Sequence, residues 1–377
     1  MEKCRGVCYN MRMKLLNVRR RSRLRVLAVL ALTAAAVFSL GKIPAVAEWV
    51  FARGITRFFG WFIGCVTKLT AVSLYEVTAL TLIAPGAFFL CVFIADVIRR
   101  NYSSAGGVAY RIAEVALVAL IVFGAAFAPL YARASANAAL GLPSVRAEEA
   151  SVYRAAEYYV ESLNAVSAKI SRDEKGNVRS PYTFCDLGER LNDEYARSDG
   201  YFSPYRVRPK AVSLSVLMSY LGITGIYFPF TAEANVNVNV PTCDLPVTMA
   251  HEMAHAKGVA EESTANLTAY VLLIRSDDAF LQYCGLMDAV ASMLNALPQE
   301  SFDVLYGRLS DEIKKEYSIV RAHYRRYEGV LERISGFFND LFLKSNGIQS
   351  GTKNYGETVN GLVALYYERV GACRADD

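Results

Sequence analysis

Three long runs without a single Asp, Glu, Lys or Arg constrain this chain more than any other feature. They are VLAVLALTAAAVFSLG at 26–41, VTALTLIAPGAFFLCVFIA at 77–95 and VALVALIVFGAAFAPLYA at 115–132. Roughly 20 apolar residues of helix cross a bilayer. The second and third runs come close to that length. The first reaches it by continuing past Lys42 to Ala47, because a lysine there can snorkel to the headgroups. The Pro85-Gly86 pair would kink a helix in water but is tolerated in a membrane. Three such runs close together read as transmembrane spans at 26–47, 77–95 and 115–132, not as buried core helices. Between the first two, ITRFFGWFIGCVTKLTAVSLY at 55–75 is aromatic-rich but broken by Arg57 and Lys68, a pattern expected of an interfacial helix.

Charge then sets the orientation. Nine basic residues stand in positions 1–25 against the single acid Glu2, while the whole chain carries only +5. Because an apolar run follows directly, the basic tail reads as a topology signal and no nucleic-acid partner is expected. The positive-inside rule places residues 1–25 in the cytoplasm, and it places the loop bearing Arg99, Arg100 and Arg111 there too. Three crossings leave everything after Arg133 on the extracytoplasmic side of the cell membrane. Ala45-Val46-Ala47 has the A-x-A form of a signal-peptide cleavage site. The long basic region before the first run favours an uncleaved anchor.

The membrane part thus occupies 26–133, and from about 143 to 377 the composition becomes globular. An amphipathic helix is expected over 148–170, a polar loop over 171–180, a helix over 213–221 and a turn over 222–225. The alternating Asn235-Val236-Asn237-Val238-Asn239-Val240 reads as a half-exposed strand. Helices are expected again over 245–255 and 261–274, and 276–345 is mostly helical. Cys185, Cys243, Cys284 and Cys373 could form two disulfides in three pairings or remain free thiols. None has the C-x-x-C spacing of a cysteine metal site.

The chain has three histidines, and two of them stand four residues apart in HEMAH, residues 251–255. On a helix, His251 and His255 project from one face with Cβ atoms about 5–6 Å apart. That spacing suits a single tetrahedral zinc ion. Glu252 is placed to act as general base on a water that the metal acidifies. The helix is apolar around the motif, and buried imidazoles need partners, one of which a metal supplies. The competing reading is a pair of core histidines with structural hydrogen bonds. A catalytic zinc needs a third protein ligand. The chain reverses at Gly258, and Glu262 on the returning helix is the better candidate, with Glu261 the alternative.

HExxH with a glutamate on a following helix resembles the gluzincin class of metallopeptidases. Glu262-Ser263-Thr264-Ala265-Asn266, read as E-x-x-A-N, is similar to the E-x-x-A-D signature of membrane-bound gluzincins. The wider run PKAVSLSVLMSYLGITGIYFPFTAEANVN, followed by HEMAHAKGVAEESTAN, resembles a bacterial domain-of-unknown-function family of multi-pass, zinc-peptidase-like membrane proteins. The likeness runs from the first span to FNDLFLKSNGIQSGTKNYGETVNGLVALYYERV. It departs at Thr264, where the family favours a second acid. The resemblance implies His251, His255 and Glu262 as ligands of one Zn2+, Glu252 as the base, and Asn266 orienting a ligand histidine. It does not settle substrate or activity.

Zincins hold an extended peptide by adding it to a sheet edge above the metal. The alternating segment, with Asn235, Val236, Asn237 and Val238, is the expected edge; an ordinary surface hairpin is the competing reading. A donor for the oxyanion is sought among His323, Tyr324 and Tyr355, the last in a Gly- and Asn-rich loop. The fold expected is a mainly α membrane protein with three transmembrane helices and a zincin-like α+β domain, mostly helical with a small sheet. The function expected is that of a membrane-anchored zinc metallopeptidase acting on a peptide or protein. The alternative is a non-catalytic membrane assembly or scaffold protein with a structural zinc. A transporter is disfavoured, since the spans carry no internal charge and no repeat.

Overall fold

The computed structural model describes residues 2–133, 136–198, 200–345 and 355–375. Helix α1 (Glu2–Gly41) ends in an apolar segment, Arg21–Gly41, and α4 (Leu74–Ile98) and α5 (Tyr102–Ala126) are apolar almost throughout. These three are long and apolar enough to cross a membrane. At about 1.5 Å per residue, the 25 residues of α4 reach roughly 37 Å against a hydrocarbon core of about 30 Å. Leu80, Leu82, Ile83, Phe88 and Leu90 all point outward, each more than half exposed. A helix that is apolar all round has no stable place in water. α5 packs between α1 and α4.

The third span ends earlier than expected. α5 stops at Ala126, and Ala128–Ala132 forms a tight 3-10 turn led by Pro129. The segment expected as an interfacial helix over 55–75 begins sooner and stops sooner. α2 (Pro44–Val46) opens into a π-helical stretch, Ala47–Thr56, and then α3 (Arg57–Thr67). Ser73 then caps α4 by accepting the Glu76 N–H at 3.1 Å.

The remaining helices form one body: α6 (Ala136–Ala139), α7 (Glu149–Ser167), α8 (Phe184–Ala196), α9 (Ser215–Tyr220), α10 (Asp244–Ala256), α11 (Glu262–Arg275), α12 (Ala279–Asn295), α13 (Gln299–Gly307), α14 (Asp311–Arg325), α15 (Val330–Ser345) and α16 (Tyr355–Ala375). Its core lies where α7, α10, α11, α12 and α16 meet. There Tyr159, Leu163, Met249, Met253, Leu267 and Leu273 are sealed from solvent. Cys243 and Cys284 are buried free thiols and Cys185 an exposed one, while the side chain of Cys373 lies outside the described residues.

The sheet corrects one expectation. Strands β1 (Lys210–Val212), β2 (Gly225–Phe228) and β3 (Glu233–Asn237) lie in the order β1-β3-β2, with β1 parallel and β2 antiparallel to β3. The segment with Asn235, Val236 and Asn237 is therefore the central strand and not an edge. All five residues of β3 are buried. Val238 lies beyond its end and is 45% exposed. The alternation misled because the asparagines do not face water. Asn235 Nδ2 donates to the Ile226 carbonyl at 3.2 Å and Asn237 Nδ2 to the Ile223 carbonyl at 2.9 Å. Buried amides that satisfy neighbouring backbone carbonyls produce the same pattern as amides in solvent.

The sheet is also tied to the apolar helices. The Glu233 carboxylate accepts the Leu74 and Tyr75 N–H groups, at 3.3 and 3.0 Å, at the start of α4. Lys210 Nζ donates to the Thr67 carbonyl at 2.8 Å and to that of Thr70, at the end of α3. Both contacts place a charge at the helix end whose dipole it complements.

Candidate metal centre

α10 carries His251 and His255 one turn apart, and α11 carries Glu262 in its first turn. Gly258 makes the reversal between them, with φ +102°, a value that side chains with a Cβ rarely adopt. The turn is fastened from outside by Arg133, whose Nη1 donates to the Gly258 carbonyl at 2.6 Å. Arg133 also pairs with Glu48 at 2.7 Å and stacks over the Tyr201 ring at 3.7 Å.

Three side chains converge as a result. His255 Nε2 stands 3.0 Å from His251 Nε2, His251 Nε2 lies 3.1 Å from Glu262 Oε2, and His255 Nε2 is 3.6 Å from Glu262 Oε1. Their ligand atoms all fall within 4.8 Å of one another. Ligands about 2.0–2.1 Å from a tetrahedral ion are roughly 3.3 Å apart, so these residues fit one such ion. The tautomer agrees: His255 Nδ1 lies 2.8 Å from the Val259 carbonyl. Only an N–H can serve a carbonyl, so in the neutral ring it is Nε2 that carries the lone pair and turns it inward. Two imidazole nitrogens and a carboxylate aimed at one point repel unless a proton or a cation lies between them.

The electrostatics follow. Burial alone would lower His255, but the adjoining Glu262 carboxylate outweighs it and moves the pKa up to about 9. Burial would raise Glu262, and the two imidazoles hold it well below the usual carboxylate range. Its side chain keeps 46% of its surface, which faces a cavity of about 1340 Å3.

Glu252 sits beside this cluster in different surroundings. It is 4% exposed, and among the described residues its Oε2 has no hydrogen-bond partner. Burial raises its pKa, opposed by the two histidines and by the Tyr227 backbone N–H. Gly225 of β2 covers it so closely that a Cβ there would stand 2.6 Å from Glu252 Oε1. The edge strand beside α10 is therefore β2, and Gly225, Ile226, Tyr227 and Phe228 all line the cavity.

The other expected residues separate. Asn266 lines the cavity one turn after Glu262. Among the described residues no hydrogen bond joins it to either histidine, and the Val259 carbonyl is what orients His255. Glu261 occupies the N-cap position of α11, its Oε2 accepts the Thr264 hydroxyl at 2.8 Å, and it is not one of the three residues that converge. His323 Nε2 is paired with the Asn239 carbonyl at 2.9 Å. Tyr324 lines the cavity, but its hydroxyl donates to Asp244 at 2.7 Å. Tyr355 opens α16, and its side chain lies outside the described residues. Sequence reasoning passed over Tyr131, which stands on the cavity wall. Burial, with Glu262 and Glu261 nearby, raises its pKa and keeps its hydroxyl a donor. It lies at the end of an apolar run, where nothing in the sequence signals chemistry.

Residues 51–363 match the model of a family described as Protein of unknown function (DUF3810), and the chain belongs to that family. Neither the search of curated proteins nor the search of solved structures returns a match.

Proposed function

We propose that this member of the DUF3810 family is a membrane-anchored, zinc-dependent metallopeptidase of the gluzincin type. Its N-terminus is cytoplasmic and its α10–α11 site lies on the extracytoplasmic face of the cell membrane. The observation that carries this reading is the convergence of His251, His255 and Glu262 beside a buried Glu252 whose Oε2 is unpaired among the described residues. His251, His255 and Glu262 would hold one zinc ion, which supplies Lewis acidity and lowers the pKa of water nearby. The Glu252 carboxylate, with a raised pKa and, among the described residues, no hydrogen bond at Oε2 to give up, takes the proton of the attacking water and returns it to the leaving amine. The outer edge of β2 offers main-chain groups to an extended peptide, which would add as a fourth strand. The Tyr131 hydroxyl is available as a donor to the oxyanion.

The burial of Glu252 beneath Gly225 favours a second reading, a scaffold in which zinc only pins α10 to α11. One experiment separates the two. Full-length protein is assayed for zinc and for peptide cleavage beside Glu252→Gln, His251→Ala and Glu262→Ala. As a peptidase, wild type carries one zinc, Glu252→Gln keeps it and loses cleavage by about 10²-fold or more, and the two ligand variants lose both. Metal-free wild type would sink both readings. Zinc without cleavage, or cleavage untouched by Glu252→Gln, would sink the peptidase.

A further inference from the structure

The cavity that holds the cluster is walled on one side by the membrane part. Phe123 lies inside α5, and Phe127 and Tyr131 follow directly from its end; all three line the cavity. Phe127 packs edge-on against His255 at 6.1 Å and at a tilt against Tyr227 at 5.4 Å. The other end of β2 is equally close, since Phe228 packs on Tyr75 of α4 with centroids 5.2 Å apart. The site thus lies at the level where α5 ends and α4 begins.

Two further elements share that level. Glu76, in the first turn of α4, accepts the Ser213 and Leu214 N–H groups at 2.9 and 2.8 Å and so pins the start of α9. Leu214, just before α9, and Val216, Leu217 and Tyr220 on it are 42–55% exposed. Tyr220 packs edge-on against Tyr327 at 5.0 Å, which brings the start of α15 alongside. α15 is two-sided. Glu332, Arg333, Ser335 and Asn339 face the cavity, whereas Val330, Leu331 and Ile334 are 49–70% exposed. Seven exposed apolar side chains gathered on two neighbouring elements mark an interaction surface. It is continuous with helices whose own side chains require lipid.

We propose that the occupant of this rim is the bilayer surface itself. α9 and α15 lie in the headgroup and acyl boundary as amphipathic elements do, so the cavity opens at the membrane and receives polypeptide segments held there. This rests on α1, α4 and α5 spanning the membrane, and it deepens the proposed function by naming the source of substrate; it does not depend on zinc. The test uses full-length protein in vesicles, with Trp49→Phe and Trp61→Phe removing both native tryptophans. Single tryptophans are introduced as Leu217→Trp, Val330→Trp, Leu82→Trp in mid-α4, and Val304→Trp on α13, which packs on α7 and α12. Quenching by lipids with a nitroxide on the acyl chain is measured for each. The expected result is quenching at Leu217→Trp and Val330→Trp at least about twofold above Val304→Trp, as for side chains about 5–10 Å into the boundary. If Leu82→Trp is quenched while both rim positions match Val304→Trp, the rim lies in water and the proposal is overturned. If Leu82→Trp is not quenched, the spanning helices fail and the proposal falls with them.

Discussion

Gly225→Ala tests the packing on which the site depends. An ideal Cβ at Gly225 would stand 2.5 Å from Glu252 Cγ, 2.6 Å from Oε1 and 2.8 Å from Cδ. Carbon atoms rest at roughly 3.5 Å or more, so the added methyl overlaps Glu252 Cγ by about 1 Å. Neither partner yields easily. β2 is held by its register with β3, Gly225 opposite Val236. Cγ of Glu252 is one bond from the Cβ of a helical residue that is 4% exposed. The strain of such overpacking is about 1–3 kcal/mol, which lowers Tm by roughly 2–12 °C. The proposed zinc ligands His251, His255 and Glu262 are untouched, so metal content should hold at the wild-type value. The carboxylate moves by about 1 Å, a displacement that costs a catalytic group on the order of 10²-fold in rate. The assays are thermal unfolding in detergent, zinc by elemental analysis and peptide cleavage. Gly307→Ala is the control, because a Cβ there meets nothing within 4 Å. A Gly225→Ala protein with wild-type Tm and wild-type cleavage would refute the close cover of Glu252 by β2.

Two further outcomes concern the fastening of the α10–α11 turn. Arg133→Met strips the Gly258 carbonyl and Glu48 of a guanidinium that is 2% exposed. The expected loss is about 3 kcal/mol, the low end for a broken buried pair because Glu48 keeps Arg53. Thermal unfolding reads it, and a change below that seen for the exposed Arg53→Met would count against the assignment. Arg133, then Arg53, hold the Glu48 carboxyl below its ordinary 4.5 although burial opposes them. Unfolding in that range therefore takes up a proton. Stability from Glu48 is complete above about 4.5 and is lost as pH falls through the lower folded value. Glu48→Gln should flatten the acid side of a Tm-against-pH profile, and an unchanged slope would show that the ion pair does not couple to folding.

Much of the site could be read from the chain because it is local. His251 and His255 share a face by helical period alone, and Gly258 announces the reversal that returns Glu262. The apolar helices were equally legible, since a bilayer reads length and composition. Their ends were not: Pro129 and the 3-10 turn stop α5 at Ala126, six residues short of the apolar run. The strand failed for a different reason. Asn235 and Asn237 alternate with valine as surface residues do, yet their amides bond the Ile226 and Ile223 carbonyls inside the fold. Ser73 from the start of α4 also donates to Asn235 at 2.7 Å, a partner 162 residues away that no local pattern reveals.

By itself, then, the sequence determined three apolar helices, a helix-turn-helix with two histidines and a glutamate in reach of one another, and a mostly helical body. Helical period, hydrophobic run length and the left-handed freedom of a glycine act over a few residues and need no partner. Only the tertiary structure decided which strand is the edge, that a backbone carbonyl orients His255, that Gly225 covers Glu252, and that the cavity is closed by Phe123, Phe127 and Tyr131 from the end of α5. Each of those depends on groups far apart in the chain meeting at van der Waals or hydrogen-bond distance, which a linear pattern of residue types does not encode.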